Sequence, residues 1–173
     1  MKILAIDPGT HCGWCTNATG RLEWGEQDFS LRRGESPGMR YIAFRKWLLC
    51  MPRTDLVVFE RPHMRGGAAT DLLVGFSTRI EGVCAEYGIE HAAVHSATLK
   101  KFALGRGRGD KKEMIAAAVK RLGFSPKVGT GLDGRAHWIG EPCERAGAPI
   151  FTDKEADALW LYWWADSLAR RKP

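Results

Sequence analysis

Residues 3–10 read ILAIDPGT, a short apolar run that ends in an acid and a Pro-Gly turn. Residues 56–62 read LVVFERP and repeat this pattern, with Glu60 after the apolar run. Short runs rich in Val, Ile and Phe are typical of buried strands. An ionised acid at the end of a buried strand costs free energy unless a partner charge or a metal ion compensates it. Asp7 and Glu60 together therefore indicate a shared cationic partner.

The regions around these two runs predict a sheet covered by helices. A helix starting at Ser36-Pro37 precedes the strand at residues 56–60, so this strand is expected to run parallel to the first. The remaining predicted strands are residues 2–7, 12–16, 21–29 and 91–95, and the remaining helices are residues 70–87, 97–104, 111–122 and 154–170. The first helix is expected to direct Ile42, Ala43, Trp47 and Cys50 toward the core. This order predicts a mixed α/β sheet, three antiparallel strands and then parallel strands, flanked by helices.

Length and composition favour one globular domain over residues 1–173. The chain is 45% hydrophobic and 27% charged over 173 residues, as expected for a domain with a full core. No apolar stretch reaches membrane-spanning length, and the first strand begins where a signal peptide would lie, so a cytoplasmic location is expected. Residues 125–150 are rich in Gly and Pro and are expected to form a long loop, functional or mobile.

The chain contains five cysteines, and an odd number argues against a disulfide framework. Residues 12–15 read CGWC and have the spacing of a redox or zinc motif. In a strand, however, residues three apart point to opposite faces. Ordinary packing cysteines are therefore favoured.

Positive charge is concentrated in one segment. The net charge is +6, and residues 96–127 contain nine Lys or Arg and two acids, which makes this segment +7 and the rest of the chain −1. A basic block on a nearly neutral body is typical of a protein that binds polyanions. The alternative is a solvated helix face.

The last predicted helix begins with further acids, in the stretch DKEAD at residues 153–157. Asp153 and Asp157 are four apart and share a helix face. If this helix start meets the carboxyl edge of the sheet, up to four carboxylates converge where α/β sheets bind ligands. Such an all-oxygen site suits Mg²⁺, and two ions about 4 Å apart would stabilise both reacting oxygens of a phosphodiester. The alternatives are an Asx-type turn at Asp7 and a helix cap at Asp153.

Four segments together resemble the RuvC family of Holliday-junction resolvases, within the ribonuclease H-like superfamily. Residues 6–10 (IDPGT) look like the family's opening motif, and Phe59-Glu60 resembles its second acid. Residues 99–105 and 107–113 are similar to its basic stretch, and residues 156–159 (ADAL) to its C-terminal acidic motif. The similarity follows the family's order over most of the chain.

This resemblance implies a ribonuclease H-like fold and a homodimeric, Mg²⁺-dependent endonuclease that cleaves branched DNA such as four-way junctions. It implies two ions per active site, with Mn²⁺ as a substitute, and a role in DNA recombination and repair. Asp7, Glu60 and Asp157 would be catalytic metal ligands. Lys100 and Lys111 would contact DNA near the scissile phosphate.

One position departs from the family pattern. Family members commonly place the fourth metal-binding residue three before the last acid, and this chain has Lys154 there. Asp153 is expected to replace it as a catalytic metal ligand, because residues i and i+4 share a helix face about as well as i and i+3. Glu155 is expected to point away.

Further DNA contacts are expected around this site. In the loop after Glu60, His63 or Met64 would wedge between or stack on bases at the branch point, although an ordinary mobile loop is an equal alternative. The long loop at 125–150 could be a lid, a DNA-contacting loop or a partner site. The other basic candidates for DNA binding are Arg65, Lys101, Arg106, Arg108 and Lys112.

Two other functions remain open from the sequence. A non-catalytic relative that binds branched DNA is possible because of Lys154. An actin-like or sugar-kinase-type enzyme is possible because Asp-x-Gly-Thr after a strand also occurs in those phosphate-binding proteins. They need a second phosphate motif and a second domain, for which 173 residues leave little room.

Overall fold

The computed structural model describes residues 1–63, 66–123, 128–130, 136–139 and 150–170. Its main sheet contains β1 (Ile3–Asp7), β2 (His11–Thr16), β3 (Glu23–Asp28), β4 (Leu56–Glu60) and β5 (Glu90–Val94). The strand order is β3-β2-β1-β4-β5, antiparallel from β3 to β1 and parallel from β1 to β5. The predicted mixed sheet is therefore confirmed.

Helices cover both faces of this sheet. They are α1 (Gly38–Cys50), α2 (Ala68–Tyr87), α3 (Ser96–Leu104), α4 (Lys111–Arg121) and α5 (Asp153–Ala169). Each begins and ends within about two residues of its predicted bounds. Gly88 ends α2 in the left-handed conformation, with φ of 64°, which glycine adopts without strain. Within the described residues, no helix combines the length and the apolar character needed to span a membrane.

The alternation of side chains along the strands divides the core into two layers. Ile3, Ala5 and Val58 pack against α3, α4 and α5 on one face. Leu4 and Phe59, on the other face, pack against α1 and α2. Because side chains alternate with period two, Asp7 and Glu60 belong to the face that α5 covers.

Helix α5 lies across the centre of the sheet, against β1 and β2. It is buried on most sides, and the indole N–H of Trp160 donates to the carbonyl of Met114 at 3.0 Å. The Arg121 guanidinium lies 4.9 Å from the Trp163 ring centroid, a cation–π contact that closes this layer at its rim. The position of α5 is therefore fixed along much of its length.

Gly13 permits a close approach between α5 and the sheet. A Cβ atom at this position would overlap the backbone carbonyl of Lys154. Gly13 is also the register partner of Asp7 in the antiparallel ladder between β1 and β2. The first turn of α5 therefore lies directly beside Asp7.

The cysteines of the CGWC stretch occupy opposite faces of the sheet, as predicted. Cys12 packs in the layer with α1 and α2, whereas Cys15 packs in the layer with α5. Both are buried, and neither forms a disulfide bond within the described residues. Their separation by the sheet fits packing rather than shared ligation of one ion.

The prediction for α1 was wrong about its buried face. Phe44 and Leu48 are buried, whereas Ile42 is 50% exposed and Ala43 and Cys50 are also exposed. Apolar residues surround most of this helix, so their spacing did not define one side.

The prediction of a loop at 125–150 was also incomplete. The described residues there include β6 (Val128–Thr130), β7 (Ala136–Ile139) and the start of β8 (Ile150–Phe151), which form a small antiparallel sheet in the order β6-β7-β8. Strands of two to four residues are too short to show a period of two in the sequence. The rest of this segment lies outside the described residues.

Substitution of Gly13 tests whether its missing side chain sets the position of α5. Gly13→Ala should destabilise the protein by more than about 2 kcal/mol, because a methyl group would push a buried helix off the sheet. Gly82→Ala on α2 is the matched control, since a Cβ there meets no atom within 4 Å. That control should be neutral or stabilising by about 0.5–1 kcal/mol. Urea unfolding measures both, and equal effects of the two variants would contradict this role of Gly13.

Candidate functional site

Asp7 and Glu60 lie side by side at the carboxyl edge of the main sheet. They directly follow Ile6 and Phe59, which are register partners in the parallel pair of β1 and β4. Asp7 is only 7% exposed, and the Glu60 side chain is 20% exposed. The predicted pairing of two costly carboxylates is therefore present, on the face covered by α5.

The start of α5 is held by a capping box. The Thr152 side chain accepts from the Glu155 backbone N–H at 3.2 Å, and the Glu155 carboxylate accepts from the Thr152 N–H at 3.0 Å. This reciprocal pair satisfies backbone donors at the helix start and uses Glu155 for structure. The cap thereby sets the orientation of Asp153, Lys154 and Asp157 in the first turn.

These acids meet in a cleft of about 200 Å³. The first turns of α3, α4 and α5 line it, so three helix N-termini converge on one space. Helix N-termini carry positive potential and favour anions. The lining residues are Asp7, Glu60, Ser96, Leu99, Lys100, Asp110, Lys111, Met114, Asp153, Lys154 and Asp157.

Two lysines form ion pairs with two of the acids. The Lys154 ammonium donates to Asp7 Oδ2 at 3.0 Å, and the Lys111 ammonium donates to Asp153. The imidazole Nε2 of His63 lies 3.7 Å from Glu60 Oε1. Within the described residues, neither Glu60 nor Asp157 forms an ion pair with a lysine or arginine.

Burial and mutual repulsion raise the pKa of three of these carboxyls. Burial and then the charge of Asp7 raise the pKa of Glu60 to about 7. Burial, followed by Asp7 and Glu60, raises the pKa of Asp157 well above its ordinary range. Burial also raises the pKa of Asp7, although Lys154 opposes it. The cleft is therefore short of positive charge around Glu60 and Asp157.

Two other charged groups of the cleft, Asp153 and Lys154, are stabilised in their ionised forms. Burial opposes ionisation of Asp153, but its hydrogen bond with Lys111 and the charges of Lys111 and Lys154 prevail and lower its pKa. The charge of Asp7 raises the pKa of Lys154 despite burial. Asp153 and Lys154 are thus fixed charges at neutral pH.

The donors of this cleft suit a hard divalent cation. They are carboxylate oxygens, the ligands that Mg²⁺ and Mn²⁺ prefer. A cation would also relieve the repulsion that raises the pKa values of Glu60 and Asp157. Among the described residues, however, no three His, Cys, Asp or Glu side chains are already arranged as a metal-binding group. Lys154 instead lies on Asp7.

The predicted DNA-binding residues occupy different places around the cleft. Lys100 and Lys111 line it, and His63 stands at its side with its side chain 52% exposed. Lys101, Lys112 and Arg108 are exposed, and Arg106 is paired with Glu113. Met64 and Arg65 lie outside the described residues.

The sheet order, antiparallel from β3 to β1 and parallel from β1 to β5 with helices on both faces, is that of the ribonuclease H-like class of α/β folds. Among solved structures, the chain is similar to RuvC of Thermus thermophilus, with a TM-score of 0.66, 18% identity and coverage of 98% of this chain and 96% of that one. It is also similar to T. thermophilus RuvC in complex with a Holliday junction substrate, with a TM-score of 0.69, 17% identity and coverage of 98% and 95%. In sequence comparisons, no protein-family model and no curated protein matches the chain. The predicted RuvC-like fold is therefore confirmed.

Sequence reasoning missed three features of the site. Lys154 appeared only as a missing ligand, whereas it is the ion-pair partner of Asp7. Ser96 lines the cleft, and its hydroxyl opposes the rise in the pKa of Glu60. Both facing helices have a capping box, at residues 110–113 (DKKE) and 152–155 (TDKE). The two capping boxes were readable in the sequence, because Ser, Thr or Asp followed three residues later by Glu marks a helix start.

The pKa of Glu60 predicts a pH-dependent stability in the absence of metal. A carboxyl whose pKa rises on folding stabilises the folded state most below its unfolded pKa, and the contribution disappears as pH rises through the folded pKa. The free energy of unfolding should therefore fall by about 1–3 kcal/mol between pH 4.5 and about 7. Urea unfolding with a chelator present measures this decrease.

Glu60→Gln should reduce that decrease, because it removes one titrating group and its repulsion on Asp157. Glu90→Gln, an exposed change on the neighbouring strand β5, should leave the pH profile as in the wild type. Identical profiles for the wild type and Glu60→Gln would show that Glu60 does not titrate in this window.

Proposed function

We propose that this chain is a divalent-metal-dependent endonuclease that hydrolyses a phosphodiester bond of branched DNA. The observation that carries this proposal is the meeting of Asp7, Glu60, Asp153 and Asp157 in one cleft that lysines and three helix N-termini surround. Acids at the centre suit a cation, and positive groups around them suit phosphate. The RuvC-like fold, shared with a protein solved on a Holliday junction, supports branched DNA as the substrate.

The carboxylates would hold the metal and position water. Glu60 and Asp157 would be the main ligands, together with an oxygen of Asp7. A bound divalent cation supplies a positive charge that lowers the pKa of water and neutralises charge developing on the phosphate. Glu60 also stands beside His63, with 3.7 Å between His63 Nε2 and Glu60 Oε1, and would hydrogen-bond and orient the attacking water.

The basic residues would hold the DNA backbone. Lys111 is the first residue of α4 and Lys100 is the fifth residue of α3, and the N-termini of both helices face the cleft. A phosphate there would receive side-chain and backbone N–H donors together. His63, on the loop that follows β4, is placed to contact a flanking nucleotide, and Lys101, Lys112, Arg106 and Arg108 extend the positive surface.

We further propose that residues 1–173 act as one nuclease domain in a homodimer. A four-way junction presents two equivalent cleavage positions, and a two-fold dimer presents two clefts. Helix α1 leaves Met39 and Ile42 45% and 50% exposed, which fits a contact with a second copy.

Neutral substitutions at the acids test the catalytic proposal. Asp7→Asn and Asp157→Asn should each lower the rate of junction cleavage in Mg²⁺ more than 100-fold, because losing even an outer partner of a metal ligand costs about 10- to 100-fold. Junction binding should remain, since the lysines are unchanged. Asp166→Asn is the matched control, on the same helix but paired with Arg170. A variant at position 7 or 157 that cleaves like the control would overturn the proposal.

Substitutions of the lysines test the proposed path of the DNA. Lys100→Ala should weaken binding of all branched substrates alike and reduce the slope of log K against log salt by about 1. Lys46→Ala removes an exposed lysine from α1 on the opposite side of the sheet and should change neither quantity. Fluorescence anisotropy over a salt series measures both. Equal slopes for the two variants would exclude a phosphate contact at Lys100.

A second candidate function is junction binding without cleavage. The ion pair between Lys154 and Asp7 favours it, because a lysine on a catalytic carboxylate competes with a metal. Tight junction binding without cleavage in either Mg²⁺ or Mn²⁺ would support this candidate against the first.

A further inference from the structure

Lys154 lies where a cation is needed, and its position is fixed by the fold. Its backbone carbonyl packs on Gly13, the register partner of Asp7. The ammonium then reaches Asp7 Oδ2 at 3.0 Å, and the side chain is only 31% exposed. A solvated surface lysine would lack this double restraint. Lys154 is therefore a built-in component of the acid cleft.

Four charged groups of the cleft form two ion pairs, and two further carboxylates stand apart from these pairs. Asp7 is paired with Lys154, and Asp153 with Lys111. Glu60 and Asp157 have no lysine or arginine ion-pair partner in the described part of the chain. When ionised, these two carboxylates carry the charge that one divalent cation balances. A second divalent cation would have to displace Lys154 from Asp7 or Lys111 from Asp153.

We propose that the Lys154 ammonium permanently occupies one of two cation positions in the cleft, so that the chain binds one divalent ion. The inference rests on the proposed function only in requiring that this cleft binds a divalent cation. It replaces the sequence-based expectation of two ions and of Asp153 as a ligand. Lys154 acts as a positioning residue, because it holds Asp7 and limits the number of ions.

The number of bound Mn²⁺ ions tests this inference without measuring activity. Equilibrium dialysis of the full chain against MnCl₂ should give one ion per chain for the wild type. Electron paramagnetic resonance should show a mononuclear spectrum. In Lys154→Gln the lost ammonium leaves Asp7 free, so the count should double to two ions per chain, with the spectrum of a coupled pair.

Three further variants separate the role of Lys154 from a general loss of charge. Lys154→Arg keeps a cation and should bind one ion. Lys100→Gln loses the same charge elsewhere in the cleft and should also bind one ion. Lys154→Met provides the same test as Lys154→Gln if that variant does not fold, as judged by its thermal unfolding. Two ions in the wild type, or one ion in a folded Lys154→Gln or Lys154→Met, would overturn the inference.

Cleavage assays on the same samples distinguish this inference from the proposed function. One bound ion without cleavage of any branched DNA would contradict the nuclease proposal and leave the ion count standing. Two bound ions with cleavage would contradict the ion count and leave the nuclease proposal standing. Absence of bound Mn²⁺ from the wild type and every variant would contradict both.

Discussion

The close packing of α5 on Gly13 is the constraint on which the rest of the site depends. A hydrogen atom in place of a side chain lets the carbonyl of Lys154 lie against β2, opposite Asp7 in the register. The capping box of Thr152 and Glu155 then sets the direction of the first helical turn. Together these contacts place charged groups from opposite ends of the chain in one cleft. The site is thus a consequence of how one helix packs on one sheet.

This arrangement concentrates negative charge in a cleft whose acids are largely buried. Burial and neighbouring acids raise the pKa values of Glu60 and Asp157, so the folded chain holds them at a cost in stability. Structural roles do not explain that cost, because the buried strands and α5 would pack as well with neutral groups of similar shape. Ionisable groups with strongly shifted pKa values are concentrated at functional sites. A cation bound between these carboxylates would remove much of this cost in stability.

The sequence contained enough information for the sheet and for the acids, but not for their partners. Asp7 and Glu60 follow runs with clear β character, and parallel strands bring their ends together. The contact of Lys154 with Asp7 depends on the depth at which α5 packs, and helical periodicity gives only its rotation. The buried face of α1 was predicted wrongly because the helix is apolar on most sides. The strands β6 to β8 were not predicted because each has at most four residues.

At Lys154, the fold determines the position of the residue and the side chain determines its chemistry. The fold is shared with RuvC at 17–18% identity, so it places an α5 residue beside Asp7 whatever that residue is. The side chain of that residue then determines whether it binds a metal or forms an ion pair with Asp7. A carboxylate or imidazole there would add a ligand, whereas an ammonium adds a positive charge and hydrogen-bond donors but no lone pair. It can hold Asp7 in place, yet it cannot lower the pKa of a bound water as a divalent ion does. In the proposed nuclease, the ion that activates water would therefore lie near Glu60 and Asp157, the two acids of the cleft without a lysine or arginine ion-pair partner among the described residues.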